Sequence, residues 1–134
     1  MRRADNSITI ASNIIEDAKA IASQYPGRCT ATLLDVNNHE LTTELVKQHD
    51  IVISYIPPFL HPKIFKACLE GERNLVTASY ISAEMESYDA DVKAKGLIFL
   101  NEVGVDPGID IMSTMKIKQD CDLDNSKIVK YESW

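Results

Sequence analysis

The feature that most constrains the fold is a regular alternation of short apolar segments with segments of helical periodicity. The apolar segments are rich in β-branched residues and recur at roughly 20–25 residues. We predict strands over Ser7–Ala11, Cys29–Val36, Asp50–Ile56, Asn74–Tyr80 and Leu97–Leu100. Strands that alternate with helices at this spacing form βαβ units with a parallel sheet. The sequence therefore predicts an α/β protein with a Rossmann-like, doubly wound parallel sheet.

The segments between these strands carry residues that commonly begin or end a helix. The side chains of asparagine and serine accept hydrogen bonds from the free N–H groups of a first helical turn, and proline fits that turn because it has no N–H group to leave unpaired. Glycine commonly follows a last turn. We predict five helices. The first extends over Ile14–Tyr25 and is capped by Asn13, the second begins at Asn37-Asn38 and continues through Gln48, and the third begins at His61-Pro62 and is closed by Gly71. The fourth begins at Ser82 and continues through Lys95, with Gly96 after it, and the fifth extends over Ile109–Gln119.

The C-terminal part departs from this regular pattern. Asp120–Ser126 is polar and is predicted to be a loop, and Ile128–Trp134 is predicted to be a strand. We divide the chain into a partial dinucleotide-binding domain over residues 1–119 and, over 120–134, the start of a connection to a substrate-binding and dimerisation domain.

One expected element is missing from the sequence. A dinucleotide-binding fold ordinarily begins with a strand and a G-x-G-x-x-G turn, whose N–H groups bind the pyrophosphate, and the sequence contains no such motif. Its first predicted strand corresponds to the second strand of that fold. In the strand order 3-2-1-4-5-6 the absent strand is the central one. We therefore expect an incomplete sheet with a gap and exposed apolar edges, in a chain that is a piece of a larger protein or needs a partner to close its sheet.

Composition excludes several classes of function. The net charge of −6 argues against nucleic acid or an anionic membrane as the main partner. No apolar run approaches the roughly 20 residues that cross a bilayer, and MRRADNS lacks the apolar stretch of a signal peptide. The three cysteines form no C-x-x-C pair, and the three histidines share no metal-ligand spacing. We expect no disulfide framework, no metal site and a reducing compartment.

Small, acidic and proline residues gather at the predicted carboxyl ends of the strands, which is where an open α/β sheet binds its ligand. The most distinctive of these ends lies within Leu97–Asp110, where a short strand runs into the turn Asp106-Pro107-Gly108. Proline fixes φ, and glycine lets another group approach the backbone closely. The alternative is structural, because small and polar residues are common at strand ends and Asp106 or Asp110 would also suit a helix cap.

Four segments resemble one family, that of saccharopine dehydrogenase (L-glutamate-forming), which includes the C-terminal dehydrogenase part of bifunctional aminoadipate-semialdehyde synthases. The segments are Asp50–Pro57, His61-Pro62, Val76–Ser82 and Asn101–Asp110, and the likeness extends over Ile8–Asp110. It implies oxidation of saccharopine with NAD(P) to L-glutamate and 2-aminoadipate 6-semialdehyde, in lysine metabolism. The hydride leaves the carbon of the secondary amine, and the resulting imine is hydrolysed.

The resemblance also implies roles for individual residues, although it assigns no catalytic residue. Ser12 and Asp35 would contact the adenosine end of the cofactor, Ile56, Ala78 and Ser79 would lie along it, and Val105, Asp106 and Pro107 would lie near the nicotinamide. Saccharopine would be bound by Ala78, Ser79, Tyr80 and Asp106. The Asp106 carboxylate suits a cationic amine.

The choice of cofactor depends on the turn after the first strand. No Arg or Lys follows Ser12-Asn13 directly, and a 2′-phosphate requires such a cation. The sequence thus favours NAD over NADP, with NADP as the alternative if a basic residue from elsewhere contributes. The resemblance further implies a homodimer at full length and a mitochondrial location in an animal bifunctional enzyme, or otherwise a cytoplasmic one.

Two departures weaken the case for catalysis by this chain: the glycine-rich turn is absent, and Ile111 stands where the family usually has histidine. A non-catalytic paralogue that acts as a nucleotide-binding or association module is therefore the second hypothesis. An unrelated nucleotide-sugar or methyl-transfer Rossmann module is a weaker third, against which the Ala78–Tyr80 and Asp106–Asp110 pair of motifs argues.

Overall fold

Five strands alternate with six α-helices in the computed structural model, which describes residues 6–132. The strands are β1 (Ile8–Ser12), β2 (Cys29–Leu33), β3 (Ile51–Ser54), β4 (Asn74–Thr77) and β5 (Phe99–Leu100). The helices are α1 (Ile15–Ala22), α2 (His39–Lys47), α3 (His61–Gly71), α4 (Ala83–Glu86), α5 (Asp89–Ala94) and α6 (Ile109–Leu123), and a 3₁₀ turn at Pro58–Leu60 precedes α3. The predicted α/β class is confirmed.

All the strands pair in parallel, in two separate sheets. One sheet has the order β1-β2 and the other the order β3-β4-β5. Within the described residues, β1 pairs only with β2, and β3 pairs only with β4, so each of these two strands has one unpaired edge. The same two strands expose the apolar side chains of Ile8, Ile51 and Ile53. This arrangement agrees with the expected gap at the position of a central strand.

A histidine connects the two sheets. His49 precedes β3, and its Nδ1 lies 2.8 Å from the carbonyl oxygen of Leu45, so this nitrogen carries a proton. Its Nε2 lies 2.7 Å from Oγ1 of Thr9 on β1. In the neutral ring the Thr9 hydroxyl therefore donates to Nε2, across the place where β1 and β3 are unpaired.

The hydrophobic core lies beside the second sheet. Its buried residues come mainly from α3, together with one residue each from α2, β4 and α4. Phe65 of α3 is 2% exposed and meets Phe99 of β5 edge to face, with ring centroids 5.0 Å apart. An edge-to-face pair of rings stabilises the fold beyond what burial of its apolar area contributes. Helix α3 therefore fixes the position of β4 and β5.

Several predicted boundaries are confirmed by their caps. The Asn38 side chain accepts a hydrogen bond from the Leu41 N–H at 3.1 Å, and the Ser82 hydroxyl accepts one from the Met85 N–H at 3.2 Å. Gly96 follows the C-cap of α5 with φ of +66°. Side-chain caps of this kind act within three residues, which is why sequence alone predicts them.

Two predicted cap roles are wrong. Asn13 does not cap α1, because Ile14 is the N-cap residue and no side-chain hydrogen bond caps the helix; the Oγ of Ser12 accepts instead from the Ile14 N–H at 3.1 Å, just before the helix begins. Helix α3 ends at Gly71 as predicted, but Gly71 is its last helical residue, and the left-handed conformation after the helix belongs to Glu72, at φ of +54°. A Cβ on Gly71 would lie 2.9 Å from Cγ1 of Val46, so this glycine permits close packing of α2 on α3.

The C-terminal predictions also need correction. The single predicted helix after Ser82 is divided into α4 and α5, and α6 continues to Leu123 instead of ending at Gln119. Residues 128–132 form no strand, since none of the described residues offers them a pairing partner, and residues 133–134 of that predicted strand lie outside the described residues. The division at 119/120 falls inside α6 and stays a prediction. Across residues 6–132 no helix combines the length and apolarity needed to cross a membrane.

Candidate functional site

The turn after β5 is bound to the end of β4 by backbone hydrogen bonds. The Val103 N–H donates to the Thr77 carbonyl at 3.2 Å, and the Glu102 N–H donates to the Ser79 carbonyl at 3.1 Å. A Cβ on Gly104 would lie 3.1 Å from Cβ of Ala78, so the two backbones pack closely. The carboxyl ends of β4 and β5 therefore form one continuous edge.

The turn itself is stabilised by its own backbone. The Gly104 N–H donates to the Pro107 carbonyl at 2.9 Å, and the Ile109 N–H donates to the Gly104 carbonyl at 3.0 Å. The peptide bond between Asp106 and Pro107 is cis, and Gly108 has φ of +149°. The Gly108 N–H donates to Oδ1 of Asp110 at 2.7 Å, so Asp110 stabilises the turn where α6 begins.

Tyr80 and Asp106 form a hydrogen-bonded pair at this edge. The Tyr80 hydroxyl donates to Oδ1 of Asp106 at 2.6 Å, and both side chains are exposed. This hydrogen bond, with smaller contributions from desolvation and neighbouring acids, raises the pKa of Tyr80 to about 12. At neutral pH the pair therefore offers a carboxylate oriented by a neutral phenol, which suits a cationic nitrogen.

Behind Ser79 lies a buried polar cluster centred on His61. The ring is 1% exposed. Its Nε2 lies 2.8 Å from Oγ of Ser79 and 3.2 Å from Oγ1 of Thr77, and its Nδ1 lies 3.3 Å from Oγ of Ser54. Burial lowers the pKa of His61, because the charged form loses its hydration. The ends of β3 and β4 thus meet at one imidazole at the start of α3.

Ser12 and Asp35 lie at the ends of the paired strands β1 and β2. The Leu34 N–H donates to the Ser12 carbonyl at 2.9 Å, and Oδ1 of Asp35 accepts from the N–H and Nδ2 of Asn37 at 2.9 and 2.7 Å. Among the described residues, no side-chain hydrogen bond links this pair to the group around Ser79. The predicted site residues therefore fall into two groups, one on each sheet.

The remaining predicted site residues differ in exposure. Val105 is 74% exposed, Pro107 is buried in the turn, and Ile56 is half-buried against the hydrophobic core. Two surface hollows, of about 590 Å³ along α6 and about 270 Å³ beside β1 and β2, contain none of the predicted site residues. The candidate site is thus an open edge and not an enclosed pocket.

Two residues at this edge have no predicted role in the site. His61 was predicted only as a helix start, and Asn101 follows β5 with an Oδ1 that is buried and has no partner in the described part of the chain. Both lie in segments that carry the family resemblance, which was the available signal. A buried amide oxygen without a partner is an acceptor that a ligand can satisfy.

The residues present fit two parts of a dinucleotide but not a third. Hydroxyl and carboxylate groups lie at the ends of β1 and β2, and a small residue, Ala78, precedes the hydroxyl of Ser79 on the other sheet. The sequence supplies no glycine-rich turn for the pyrophosphate. In residues 6–132 there is no cluster of side chains suited to a metal ion.

Comparison with known proteins agrees with this geometry. The model of the family described as the saccharopine dehydrogenase NADP binding domain matches residues 1–100. Saccharopine dehydrogenase [NADP(+), L-glutamate-forming] of Schizosaccharomyces pombe is 35% identical over 134 residues, which cover 99% of this chain and 29% of that protein. Alpha-aminoadipic semialdehyde synthase of Arabidopsis thaliana is 33% identical over 98% of this chain and 12% of that protein.

A solved structure has the same fold. Apo saccharopine dehydrogenase (L-Glu forming) of Saccharomyces cerevisiae superposes with a TM-score of 0.81 at 30% identity, over 90% of this chain and 26% of that one. The chain thus spans less than a third of the length of these relatives. Because the family model covers most of the sequence and the fold agrees, the chain belongs to the saccharopine dehydrogenase NADP-binding domain family.

Proposed function

We propose that this chain supplies the cofactor-binding edge of an oxidoreductase that oxidises saccharopine with a nicotinamide dinucleotide to L-glutamate and 2-aminoadipate 6-semialdehyde. The observation that carries the proposal is the joined end of β4 and β5, where Ser79, Tyr80 and Asp106 are fixed at the carboxyl edge of a parallel sheet. This edge is where open α/β sheets bind their ligands. The relatives named as saccharopine dehydrogenases support the choice of substrate.

The cofactor would extend between the two groups of site residues. Ser12 and Asp35 would bind the adenosine end, and Ile56, Ala78 and Ser79 would line the middle. Val105, Asp106 and Pro107 would border the nicotinamide, which accepts a hydride when bound. Without a glycine-rich turn in its sequence, the chain alone should bind the dinucleotide weakly, because the N–H groups that hold the pyrophosphate are absent.

The substrate would meet Ala78, Ser79 and the pair Tyr80–Asp106. The secondary amine of saccharopine is cationic at neutral pH, and Asp106 offers it a carboxylate. Tyr80 holds that carboxylate at 2.6 Å and, with its raised pKa, remains a neutral donor. The role proposed for Asp106 is to bind and orient the amine beside the cofactor.

Two observations bear on the preferred dinucleotide. The matching family is described as NADP-binding, which supports NADP. The first turn of α1, which begins three residues after Ser12, contains Glu16 and Asp17 and no basic residue, and acids there would repel a 2′-phosphate. For this chain we propose NAD as the preferred cofactor, so that NADH should bind at least as tightly as NADPH.

The test is a titration of the chain with NADH and with NADPH, followed by nicotinamide fluorescence, with and without saccharopine. Saturable binding that saccharopine alters is expected. Asp106→Asn should weaken the saccharopine effect about 10-fold, as expected when a charge-assisted hydrogen bond is lost at an exposed site. Asp91→Asn is the matched control, since it removes an exposed carboxylate on α5 that takes part in none of the hydrogen bonds described at this edge.

This titration can refute each part of the proposal separately. No saturable binding by the wild-type chain would overturn the cofactor proposal. Unchanged saccharopine dependence in Asp106→Asn would overturn the role of that carboxylate, and tighter binding of NADPH than of NADH would overturn the choice of NAD.

An association module remains the second candidate, because Ile51 and Ile53 on the unpaired edge of β3 are 50% and 59% exposed. Exposed apolar strand edges promote association. Light scattering over a range of concentrations would show whether the chain associates, and whether the homodimer expected at full length already forms. The mouse relative is named as mitochondrial, and we propose that compartment where the chain is part of an animal bifunctional enzyme.

A further inference from the structure

We infer that His61 is a positioning residue, which fixes the hydroxyl of Ser79 at the carboxyl edge of the sheet for contact with the dinucleotide. This inference rests on the proposed function, because it assumes that Ser79 faces the cofactor. The juxtaposition that carries it is a fully buried imidazole whose Nε2 lies 2.8 Å from Oγ of a half-buried serine.

The imidazole is itself held on its other side. Its Nδ1 lies 3.3 Å from Oγ of Ser54, which is 5% exposed at the end of β3. If Nε2 carries the proton, it donates to Ser79 and the Ser54 hydroxyl donates to Nδ1; in the other tautomer both hydrogen bonds reverse. The Ser79 oxygen is therefore fixed in either tautomer.

A second contact restricts Ser79 from its backbone. Oγ1 of Thr77 accepts a hydrogen bond from the Ser79 N–H at 3.0 Å and lies 3.2 Å from Nε2 of His61. Thr77 is 1% exposed. Buried and mutually hydrogen-bonded, these groups leave Ser79 little rotational freedom, and a polar group that is already fixed loses less entropy when a ligand binds.

The contact with Ser79 requires a polar atom at the position of Nε2, and the ring itself is not required. Nε2 is three bonds from Cβ and Nδ1 is two, so glutamine places its amide near the Nε2 position and asparagine places its amide near the Nδ1 position. His61→Gln should therefore keep the contact with Ser79, and His61→Asn should keep only the contact with Ser54. Both variants remove the ring, so the packing loss is similar.

The experiment measures NADH affinity and urea stability for the wild-type chain, His61→Gln, His61→Asn, Ser79→Ala and the double variant His61→Asn/Ser79→Ala. We expect His61→Gln to bind within about 2-fold of wild type, and His61→Asn and Ser79→Ala each to bind about 3- to 10-fold more weakly, the effect of one hydrogen bond. The double variant should bind no more weakly than Ser79→Ala, because both changes remove one interaction.

The outcomes separate this inference from the proposed function. A wild-type chain that does not bind NADH would overturn both. A wild-type chain that binds, with equal affinities for the glutamine and asparagine variants, would overturn the role of His61 alone. If the His61 variants do not fold, the ¹⁵N shift of Nε2 in the wild-type chain should move on addition of NADH, and an unmoved shift would overturn the inference.

Discussion

Replacement of Gly108 by alanine should cost about 3–4 kcal/mol of unfolding free energy. A Cβ at this position would lie 2.3 Å and 2.7 Å from the backbone oxygen and nitrogen of Gly104, and 2.9 Å from the backbone oxygen of Glu102. No side-chain rotation relieves contacts with backbone atoms, so the turn has to open. Opening loses two backbone hydrogen bonds, at about 1 kcal/mol each, and the φ of +149° costs a β-carbon roughly 1–2 kcal/mol more.

Gly96→Ala is the control for this prediction. Gly96 also has positive φ, +66°, but a Cβ there would meet nothing within 4 Å. Gly96→Ala should therefore lower the free energy of unfolding only by the strain of the positive φ, about 1 kcal/mol. Urea denaturation followed by circular dichroism measures both variants. If Gly108→Ala loses no more stability than Gly96→Ala, the steric reasoning about the turn is refuted.

Three further predictions concern titratable groups. Burial lowers the pKa of His61 from its ordinary 6.5, so below that pH the folded state binds fewer protons than the unfolded state. The urea midpoint of the wild-type chain should therefore be steady above about pH 6.5 and fall below it. A similar fall in His61→Gln would contradict this cause. Asp106→Asn should bring the pKa of Tyr80 down from about 12, as measured by tyrosine ¹³C NMR, and an unchanged value would refute the hydrogen bond as its main cause. The thiol of Cys68, buried with its pKa raised to about 12, should resist iodoacetamide in the native chain while Cys29 reacts, and equal rates would show that the core is open.

Local signals in the sequence predicted those parts of the fold that are determined locally. Helix α3 begins and ends at the predicted residues because Pro62 favours a first turn and the apolar residues that follow repeat at helical spacing. The caps Asn38 and Ser82 act within three residues of their partners. The parallel pairing followed from the alternation of strands and helices, and the gap beside β1 and β3 followed from the missing glycine-rich motif.

What the sequence could not supply depends on contacts between distant residues. The role of Gly71 depends on how closely α2 approaches α3, which places Val46 against it. The contact between His61 and Ser79 joins residues 18 positions apart, and it depends on the pairing of β3 with β4, which places Ser54 opposite Thr77 beside the ring. The expected strand after residue 127 required a pairing partner, and sequence periodicity does not reveal whether one is available.

The uneven distribution of the core determines how the chain should respond to its ligand. The core cluster draws all its buried residues from the segment between Val46 and Met85, whereas α1, which packs on β1 and β2, buries only Ala18 and Ala22. Amide protons of β1 and β2 should therefore exchange with solvent through local unfolding, faster than those of β3 and β4. Since the residues proposed to bind adenosine lie on this weaker half, a bound dinucleotide should slow its exchange most, and part of the binding energy would be spent on ordering it.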